Sequence, residues 1–365
     1  MADLIPIKLV MITDQPPWTG IGRYCWELSE LMHKFGVNSK LIYNGYKTIG
    51  NIYPKGDYEM PAFVKTCNNT YLIPIYRKIN GWNLRNLVDK FKDHIVHFCG
   101  SDYSSVALFS NSVVTIHDLR RDLQINGIRN FLDSIYRDVI NIKALHDIKF
   151  AKSIVSISYV VQKELQYYGI TSNVIHHWIN NDKFHWRSMD ESRKTLSLPK
   201  DLFLILNVSN STANKRLYFL KKIADFLPKG YKIIKIGAPI RNDNIINVGY
   251  VSEDMYPYFF NAANLYIHTS TYEGFGRPLI EALGSELPII AQDNPINREI
   301  LKENAVYYED STSANEVANK IVELIKGIDY DKFSKNIQNL KEEYSEIRAF
   351  KEYTNLYKDI DLHRK

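Results

Sequence analysis

Short runs of apolar residues alternate with stretches of helical periodicity along most of this chain. The runs are short enough for strands buried on both faces, and the periodic stretches place apolar side chains on one helical face. In the first half, predicted strands lie at 7–13, 39–43, 95–98, 113–116, 154–157 and 174–175, with helices at 22–35 and 160–168. In the second half, predicted strands lie at 203–208, 231–236, 246–248, 265–267 and 288–291, with helices at 217–226, 255–262 and from 313 onward. This alternation predicts parallel sheets covered by helices.

The two series predict an α/β chain with two doubly wound parallel-sheet domains. We place the first at 1–180 and the second at 181–342, with a charged, helical tail at 343–365. The polar stretch 176–198 is the expected connection between the domains. Because ligands of doubly wound sheets bind at the carboxyl ends of the strands, two domains facing each other would enclose a site in the cleft between them.

Composition favours a packed globular protein and disfavours several functional classes. Of 365 residues, 45% are hydrophobic and 24% are charged, with a formal net charge of +5. No block of five or six like charges occurs, so we expect no nucleic-acid partner. The three cysteines are widely spaced and form no CxxC or Cys/His cluster. A reducing compartment and the absence of a zinc site are therefore expected.

The apolar patterning also bears on localisation. The first residues contain no basic region followed by a long apolar run, so no signal peptide is expected. The sequence has no run of 18 apolar residues that would predict a membrane span. We expect a cytoplasmic protein, and the sequence pI of about 8.7 and the 25 tyrosines allow peripheral membrane contact.

The most informative segment is Tyr-Glu-Gly-Phe-Gly-Arg-Pro-Leu-Ile-Glu at 272–281. A predicted strand precedes it, glycines 274 and 276 form a loop, Pro278 suits a first helical position, and Gly284 can end the helix. Such a loop lets backbone N–H groups and the helix dipole meet a diphosphate. Glu281, about one turn into the helix, could accept two hydrogen bonds from a vicinal diol such as ribose, and Glu273 would lie nearer to the group that the phosphates carry. The alternative is an ordinary glycine turn with a glutamate that only partners the helix dipole.

A second glycine segment follows the first predicted strand. Gly20 and Gly22 open a helix, which suits an anion or a closely approaching substrate, or else simply makes a tight turn. The segment lacks the full GxGxxG spacing, and no acidic residue clearly ends the second strand, so a nicotinamide cofactor is disfavoured. His117 stands at the end of another strand, where it either meets a ligand or serves a structural role.

Further polar groups follow the strands of the second half. Lys215 and Arg216 follow the strand at 203–208 and could neutralise a diphosphate leaving group, or form a solvated basic pair. Gly237 ends the next strand and could wall a base pocket. The Asp-x-Asp pairs at 329–331 and 359–361 have the spacing of a metal clamp but lie in the late helical region, so no metal site is expected.

Together these segments resemble glycosyltransferase family 4, the retaining nucleotide-sugar transferases of the GT-B fold. The resemblance covers nearly the whole chain, and its most specific part is the E-x7-E signature formed by Glu273 and Glu281. Supporting matches lie at 116–118, 156–158, 174–184, 215, 249–252, 287–291 and 297–300.

The resemblance implies a GT-B architecture of two Rossmann-like domains and a role for each matching residue. Glu273, His117 and Lys215 would be catalytic: the glutamate would contact the donor sugar hydroxyls, the histidine would face the reacting sugar, and the lysine would hold the diphosphate. Donor binding is implied for Arg216, Gly237, Gly274, Phe275, Gly276 and Glu281, the last through the ribose hydroxyls. Gly20 and Gly22 would border the acceptor side, and the tail at 343–365 would be the closing helix that crosses back to the first domain.

The chain departs from the family pattern at three places. Ser209 and Asn210 stand where the family often has an arginine before the lysine, so Lys215 and Arg216 would hold the diphosphate. Arg277 replaces the usual apolar residue before the proline. His-His-Trp at 176–178 replaces a common Asn-Gly turn at the connection between the domains.

The predicted function is therefore a retaining, metal-independent transfer of a sugar from a UDP- or GDP-sugar to a hydroxyl acceptor. The nucleotide-sugar is a substrate rather than a cofactor, and the acceptor would be a sugar, a lipid-linked molecule or a protein. Two alternatives remain: an isomerase similar to nucleotide-sugar 2-epimerases, and a non-catalytic nucleotide-sugar binding subunit. The sequence leaves open the identity of the sugar, base and acceptor, and the oligomeric state.

Overall fold

The computed structural model describes residues 7–13, 15, 19–44, 58–60, 84–86, 88–100, 111–119 and 145–362. These residues divide into two compact units. The first contains the described residues up to Leu119, those from 145 to Ile175, and those from Ala349 onward. The second runs from His176 to Arg348. The divisions predicted from the sequence at 180 and 342 stay predictions.

Within the described residues, the first unit is built on a parallel sheet of seven strands. In spatial order these are β3-β2-β1-β4-β5-β6-β7, and each pairing is parallel. The strands are β1 Leu9–Thr13, β2 Ser39–Asn44, β3 Tyr58–Met60, β4 Ile95–Phe98, β5 Asn111–Ile116, β6 Ser153–Ser156 and β7 Asn173–Val174. Its described helices include Gly20–Lys34, Tyr159–Tyr167 and, from Ala349 onward, most of Glu346–Leu362.

The second unit is built on a parallel sheet of six strands in the order β10-β9-β8-β11-β12-β13. The strands are β8 Phe203–Ser209, β9 Tyr231–Gly237, β10 Ile245–Gly249, β11 Leu265–His268, β12 Ile289–Gln292 and β13 Val306–Tyr308. Its helices are Met189–Thr195, Leu217–Phe226, Tyr256–Ala262, Arg277–Gly284, Pro295–Leu301, Ala314–Gly327 and Tyr330–Glu343. The strand order reverses at β8, whose neighbours are β9 and β11, so the carboxyl ends of these three strands form a topological switch point.

One apolar core explains why the second sheet forms where the sequence predicts it. Side chains from β8, β9 and β11 pack with the helices Leu217–Phe226 and Ala314–Gly327 in a single buried cluster. Ile205, Ile233 and Ile267 are fully buried within it. Continuous apolar strands are stable here because helices shield the sheet from water. The predicted α/β fold of two doubly wound sheets is therefore confirmed.

The helix Met189–Thr195 is not predicted by the sequence pattern and lies in the stretch interpreted as a polar connection. Ser188 caps this helix, and Arg193 is only 3% exposed. The Arg193 guanidinium donates hydrogen bonds to the carbonyls of Ala262 and Lys200 and to the Asn264 side chain. An arginine can be buried when backbone carbonyls accept its N–H groups. The polar composition of this stretch therefore did not indicate that it contains a packed helix.

Gly284 does not end its helix in the way that the sequence analysis expected. It is the last helical residue and lacks a left-handed conformation, and Ser285 is the C-cap. A Cβ at position 284 would lie 2.6 Å from the Ile179 side chain and 2.9 Å from the Phe184 carbonyl oxygen. Glycine is required here by close packing rather than by a helix stop.

The described residues contain no helix long and apolar enough to cross a membrane. Within the same ranges, no three His, Cys, Asp or Glu side chains come together to hold a metal ion. Asp329, one of the candidate metal ligands, instead caps the helix Tyr330–Glu343 by accepting the Lys332 N–H.

Candidate active site

The segment 272–281 has the predicted arrangement of strand, glycine loop and helix. β11 ends at His268, and the helix Arg277–Gly284 begins after Gly276, which has a φ of +84°. A side chain at position 276 would be strained by this φ, and its Cβ would lie 3.1 Å from Leu279 Cδ1. Pro278 occupies the first turn, where its missing N–H has no helical partner to lose. The glycine therefore sets the direction in which the helix N-terminus points.

The loop before this helix is held by the segment that follows β8. The Thr271 N–H donates to the Asn214 carbonyl at 2.9 Å, and the Asn214 amide donates back to the Tyr272 carbonyl at 2.8 Å. The Thr269 hydroxyl donates to the Lys215 carbonyl at 2.7 Å. These reciprocal bonds fix the loop between His268 and Arg277, called the signature loop below, against the lysine that is predicted to hold the diphosphate.

Lys215 and Glu273 form a direct ion pair at this point. The Lys215 ammonium donates a hydrogen bond to Glu273 Oε1, and the two side chains are only 16% and 14% exposed. Burial raises the pKa of Glu273, but the Lys215 charge, the His268 ring and hydrogen bonds from Lys215 and Ser270 outweigh it, so the pKa lies below its ordinary value. Glu273 is therefore ionised around neutral pH and can accept hydrogen bonds from sugar hydroxyls.

His268 is a site residue that the sequence analysis missed. It ends β11, its Nε2 lies 3.5 Å from Glu273 Oε1, and its Nδ1 lies 3.4 Å from the Tyr266 hydroxyl. Burial, with a smaller contribution from Lys215, lowers its pKa to about 4 despite the opposing effect of Glu273. The imidazole is therefore neutral at physiological pH. Its position at a strand end, the same feature that indicated His117, predicts a role in the site, because His268 directly precedes the loop.

Glu281, the second signature glutamate, influences the same buried tyrosine, Tyr266. Burial first, and then the charges of Glu273 and Glu281, raise the pKa of Tyr266, so both carboxylates lie near its phenol. Glu281 is 3% exposed, and its Oε2 accepts a hydrogen bond from the Tyr256 hydroxyl at 2.7 Å. Tyr256 is a second residue that is not predicted from the sequence, because no local pattern relates its helix to the helix that carries Glu281.

The two adjacent cations that were predicted to act together have different partners. Lys215 bonds Glu273, whereas Arg216 adopts a left-handed φ of 53° and pairs with Asp310 at 2.7 Å. The Arg216 guanidinium also lies 4.3 Å from the centre of the Phe219 ring. Of the two, only Lys215 contacts the signature loop through its side chain in the structure.

Gly237 ends β9 beside the end of β8. Its φ is +92°, and a Cβ at this position would lie 2.4 Å from the Ser209 carbonyl oxygen. The same carbonyl accepts a 2.7 Å hydrogen bond from Lys235, which also donates to the Ile236 carbonyl. Burial, and then the nearby charge of Lys215, lower the pKa of Lys235 to about 8. The glycine thus permits a close strand-end turn that a buried cation holds in place.

Phe275 serves as a packing residue between the two loop glycines. It is 2% exposed, and its ring centre lies 4.9 Å from that of His177 and 5.8 Å from that of His176. His176 Nε2 in turn lies 2.7 Å from Glu299 Oε1. The His-His segment that departs from the family pattern therefore packs against the signature loop through Phe275. Because the Phe275 side chain is buried and Gly274 has none, these two residues can offer a ligand only their backbone groups.

The remaining candidates lie in the first unit. His117 directly follows β5, its Nε2 lies 3.0 Å from the Cys99 carbonyl oxygen, and its ring packs edge-on against Tyr24 with centres 4.8 Å apart. Gly20 and Gly22 lie in the first turn of their helix, where the Gly22 N–H donates to the Thr19 hydroxyl. The helix thus begins two residues before its predicted start, and these glycines are helical rather than part of a loop.

Comparison with known proteins agrees with the motif and with the fold. Residues 240–340 match the family model of glycosyl transferases group 1. The O-antigen chain mannosyltransferase RfbU of Salmonella typhimurium is 22% identical over 224 residues, which are 56% of this chain and 58% of that protein. The chain thus spans less than two thirds of the length of this relative.

Solved structures resemble nearly the whole chain. Sucrose-phosphate synthase from Thermosynechococcus elongatus superposes with a TM-score of 0.78 at 16% identity, covering 98% of this chain and 100% of the other. HepE of Anabaena, solved in complex with UDP-glucose, gives a TM-score of 0.72 at 14% identity, covering 97% and 100%. The chain therefore has the GT-B fold, and its second unit carries the sequence pattern of the group 1 glycosyl transferases over residues 240–340.

Proposed function

We propose that this protein is a retaining glycosyltransferase that moves a sugar from a UDP- or GDP-sugar to a hydroxyl acceptor without a metal ion. The observation that carries the proposal is the Lys215–Glu273 pair, which lies at the loop directly before the helix Arg277–Gly284. A cation, a helix N-terminus and a carboxylate in one loop suit a ligand with a diphosphate at one end and hydroxyls at the other. The match to the group 1 family over both signature glutamates supports the same reaction class.

In the proposed reaction the bond between the anomeric carbon and the diphosphate oxygen breaks, and a bond to the acceptor oxygen forms on the same face of the sugar. The acceptor proton passes to the departing phosphate oxygen. Lys215 and the backbone N–H groups at the helix N-terminus would stabilise the charge that develops on the diphosphate. Arg216 would assist only by exchanging its Asp310 partner for phosphate oxygens.

The remaining candidates have distinct roles in this proposal. Glu273 would accept hydrogen bonds from the donor sugar hydroxyls. Neutral His268 would lie beside its carboxylate, with Nε2 3.5 Å from Oε1. Glu281 would accept the ribose hydroxyls, and Gly237 would border the base. His117, Gly20 and Gly22 would serve the reacting sugar and the acceptor. The mannosyltransferase and UDP-glucose-bound relatives support a hexose on a nucleoside diphosphate as donor.

The test is slow donor hydrolysis across a panel of UDP-, GDP- and ADP-sugars with EDTA present, comparing the wild type with Glu273→Gln. Release of one nucleoside diphosphate by the wild type, at a rate at least about 100-fold above the variant, is the expected result. Glu286→Gln is a matched control, because Glu286 bonds Ser334 and Lys341 rather than the signature loop.

Direct binding to the same donors accompanies this assay. Donor binding without release, even with a panel of sugar and lipid-linked acceptors, would indicate a binding subunit and contradict the proposed transfer. Conversion of the donor to an epimeric nucleotide-sugar without acceptor would indicate the isomerase alternative.

A further inference from the structure

The Tyr256 hydroxyl fixes one oxygen of the buried Glu281 carboxylate. Tyr256 begins the helix Tyr256–Ala262, is 9% exposed, and donates to Glu281 Oε2 at 2.7 Å. Glu281 lies on a different helix, Arg277–Gly284, and is itself 3% exposed. A charge-assisted hydrogen bond between two buried side chains is stronger than one at the surface, because water does not compete for either group.

The position of the hydroxyl is set by packing rather than by the hydrogen bond alone. The Tyr256 ring contacts Phe260 and Phe184 edge-on, with ring centres 5.2 Å and 5.9 Å apart. Phe260 is fully buried and Phe184 is 2% exposed. Such a cluster holds an aromatic ring in one orientation, so the hydroxyl is presented to Glu281 before any ligand binds.

A carboxylate can accept further hydrogen bonds while it accepts one from a tyrosine. Its two oxygens together offer about four lone-pair positions, and the Tyr256 hydroxyl uses one of them. With one oxygen held, the carboxylate plane no longer rotates freely, and the directions of the other lone pairs are restricted. Since so little of Glu281 is exposed, a diol can meet it only along a small edge, and the orientation of the carboxylate decides whether both hydroxyls bond.

We infer that Tyr256 is a positioning residue that orients Glu281 toward the ribose diol and so makes the site selective for ribonucleotides over their 2′-deoxy analogues. The inference rests on the proposed function, in which Glu281 accepts the ribose hydroxyls. Tyr256 acts through Glu281 and does not contact the reacting sugar. Its contribution is preorganisation: the hydroxyl holds one carboxylate oxygen in place before the ligand binds, which lowers the ordering cost of binding.

The experiment measures the affinity of the full-length protein for UDP, GDP and their 2′-deoxy forms by isothermal titration calorimetry. The wild type should bind one ribonucleotide at least about 10-fold more tightly than its deoxy analogue, because a lost hydroxyl leaves a charged acceptor unsatisfied. In Tyr256→Phe this ratio should fall severalfold, with affinity for the deoxy form nearly unchanged. The ring and its aromatic contacts remain in this variant.

Two further variants separate positioning from a general effect on structure. Tyr330→Phe also removes a tyrosine hydroxyl, one that bonds the Asn264 carbonyl at the amino end of β11, and it should keep the wild-type ratio. In Glu281→Gln the ratio should be low, and adding Tyr256→Phe should not lower it further.

The outcomes for the inference and for the proposed function are distinct. A wild-type ratio preserved in Tyr256→Phe would overturn the positioning role and leave the glycosyltransferase proposal standing. Equal falls in affinity for both ligands would likewise show that Tyr256 only supports the structure. A wild type that binds no nucleoside diphosphate at all would overturn the proposed function together with this inference.

Discussion

Lys215 and Glu273 neutralise each other at the point where the loop after β8 meets the loop after β11. From the sequence, the two side chains are predicted to bind opposite parts of one ligand, the lysine the diphosphate and the glutamate the sugar. Their pairing means that a diphosphate must compete with Glu273 for the ammonium group. A ligand that carries both a diphosphate and hydroxyls can satisfy both side chains at once, since each then keeps a polar partner.

The first prediction concerns the two adjacent cations. Lys215→Met should weaken nucleoside diphosphate binding at least about 10-fold more than Arg216→Met, because the lysine contacts the signature loop and the arginine pairs with Asp310. Calorimetric titration of both variants with UDP and GDP measures the difference. Equal losses would mean that Arg216 leaves Asp310 when the ligand binds and shares the diphosphate equally.

The second prediction concerns the energetic coupling of Lys215 with Glu273. Lys215→Met or Glu273→Gln alone leaves a largely buried group without its partner. The two single losses in free energy of unfolding should therefore add up to more than the loss in the double variant. We expect a coupling of about 1–3 kcal/mol in a double-mutant cycle measured by urea unfolding. Strictly additive effects would show that the pair contributes nothing to stability.

A third prediction uses two glycines with nearly the same positive φ. Gly237 has a φ of +92° and Gly230 a φ of +93°, but a Cβ at 237 would meet the Ser209 carbonyl at 2.4 Å, whereas nothing lies within 4 Å at 230. Gly230→Ala should therefore show only the cost of the left-handed conformation, about 1–2 kcal/mol. Gly237→Ala should add about 1–3 kcal/mol for the clash and should also weaken nucleotide binding.

Thermal unfolding of the two glycine variants measures the difference, and Gly230→Ala is the control. Similar losses of stability in both would mean that the turn at the end of β9 moves away from Ser209 without strain. Unchanged nucleotide affinity in Gly237→Ala would separate this turn from the proposed base pocket.

The fourth prediction concerns pH and His97, which lies on β4. Burial, and then the charge of His117, lower the pKa of His97 to about 3 from an ordinary 6.5. Its ring nitrogens lie 2.7 Å from the hydroxyls of Tyr357 and Thr115, which suits a neutral imidazole with one donor and one acceptor. As the pH falls, His97 is protonated in the unfolded chain before it is protonated in the folded one. The stability that neutral His97 contributes is therefore complete above pH 6.5 and is lost as the pH falls toward 3.

The measurement compares urea unfolding at about pH 7 and about pH 5. Between these two pH values the free energy of unfolding of the wild type should fall by about 2 kcal/mol more than that of His97→Gln, because only the wild type has the buried His97. His146→Gln changes an exposed ring and should keep the wild-type pH dependence. A His97→Gln variant with the same pH dependence as the wild type would contradict a neutral, buried His97.

The fold and much of the candidate site could be predicted from local patterns. Apolar strands such as β4 and helices such as Leu217–Phe226 have the bounds that the periodicity predicts, because burial on a sheet or one helical face imposes its own spacing. The signature loop could be predicted for a similar reason: a left-handed Gly276 and a proline in the first helical turn are required by backbone geometry.

The tertiary structure decided which side chains share an environment. Nothing in the sequence relates Tyr256 to Glu281 or indicates that Arg193 is buried, since these contacts form when separate helices pack together. Likewise, Lys215 and Arg216 are adjacent in sequence and equal in charge, but they receive different partners because the left-handed backbone at Arg216 turns the chain between them. The sequence by itself determined the elements and the loop chemistry, whose causes are local, whereas the partners of each charge depended on long-range packing.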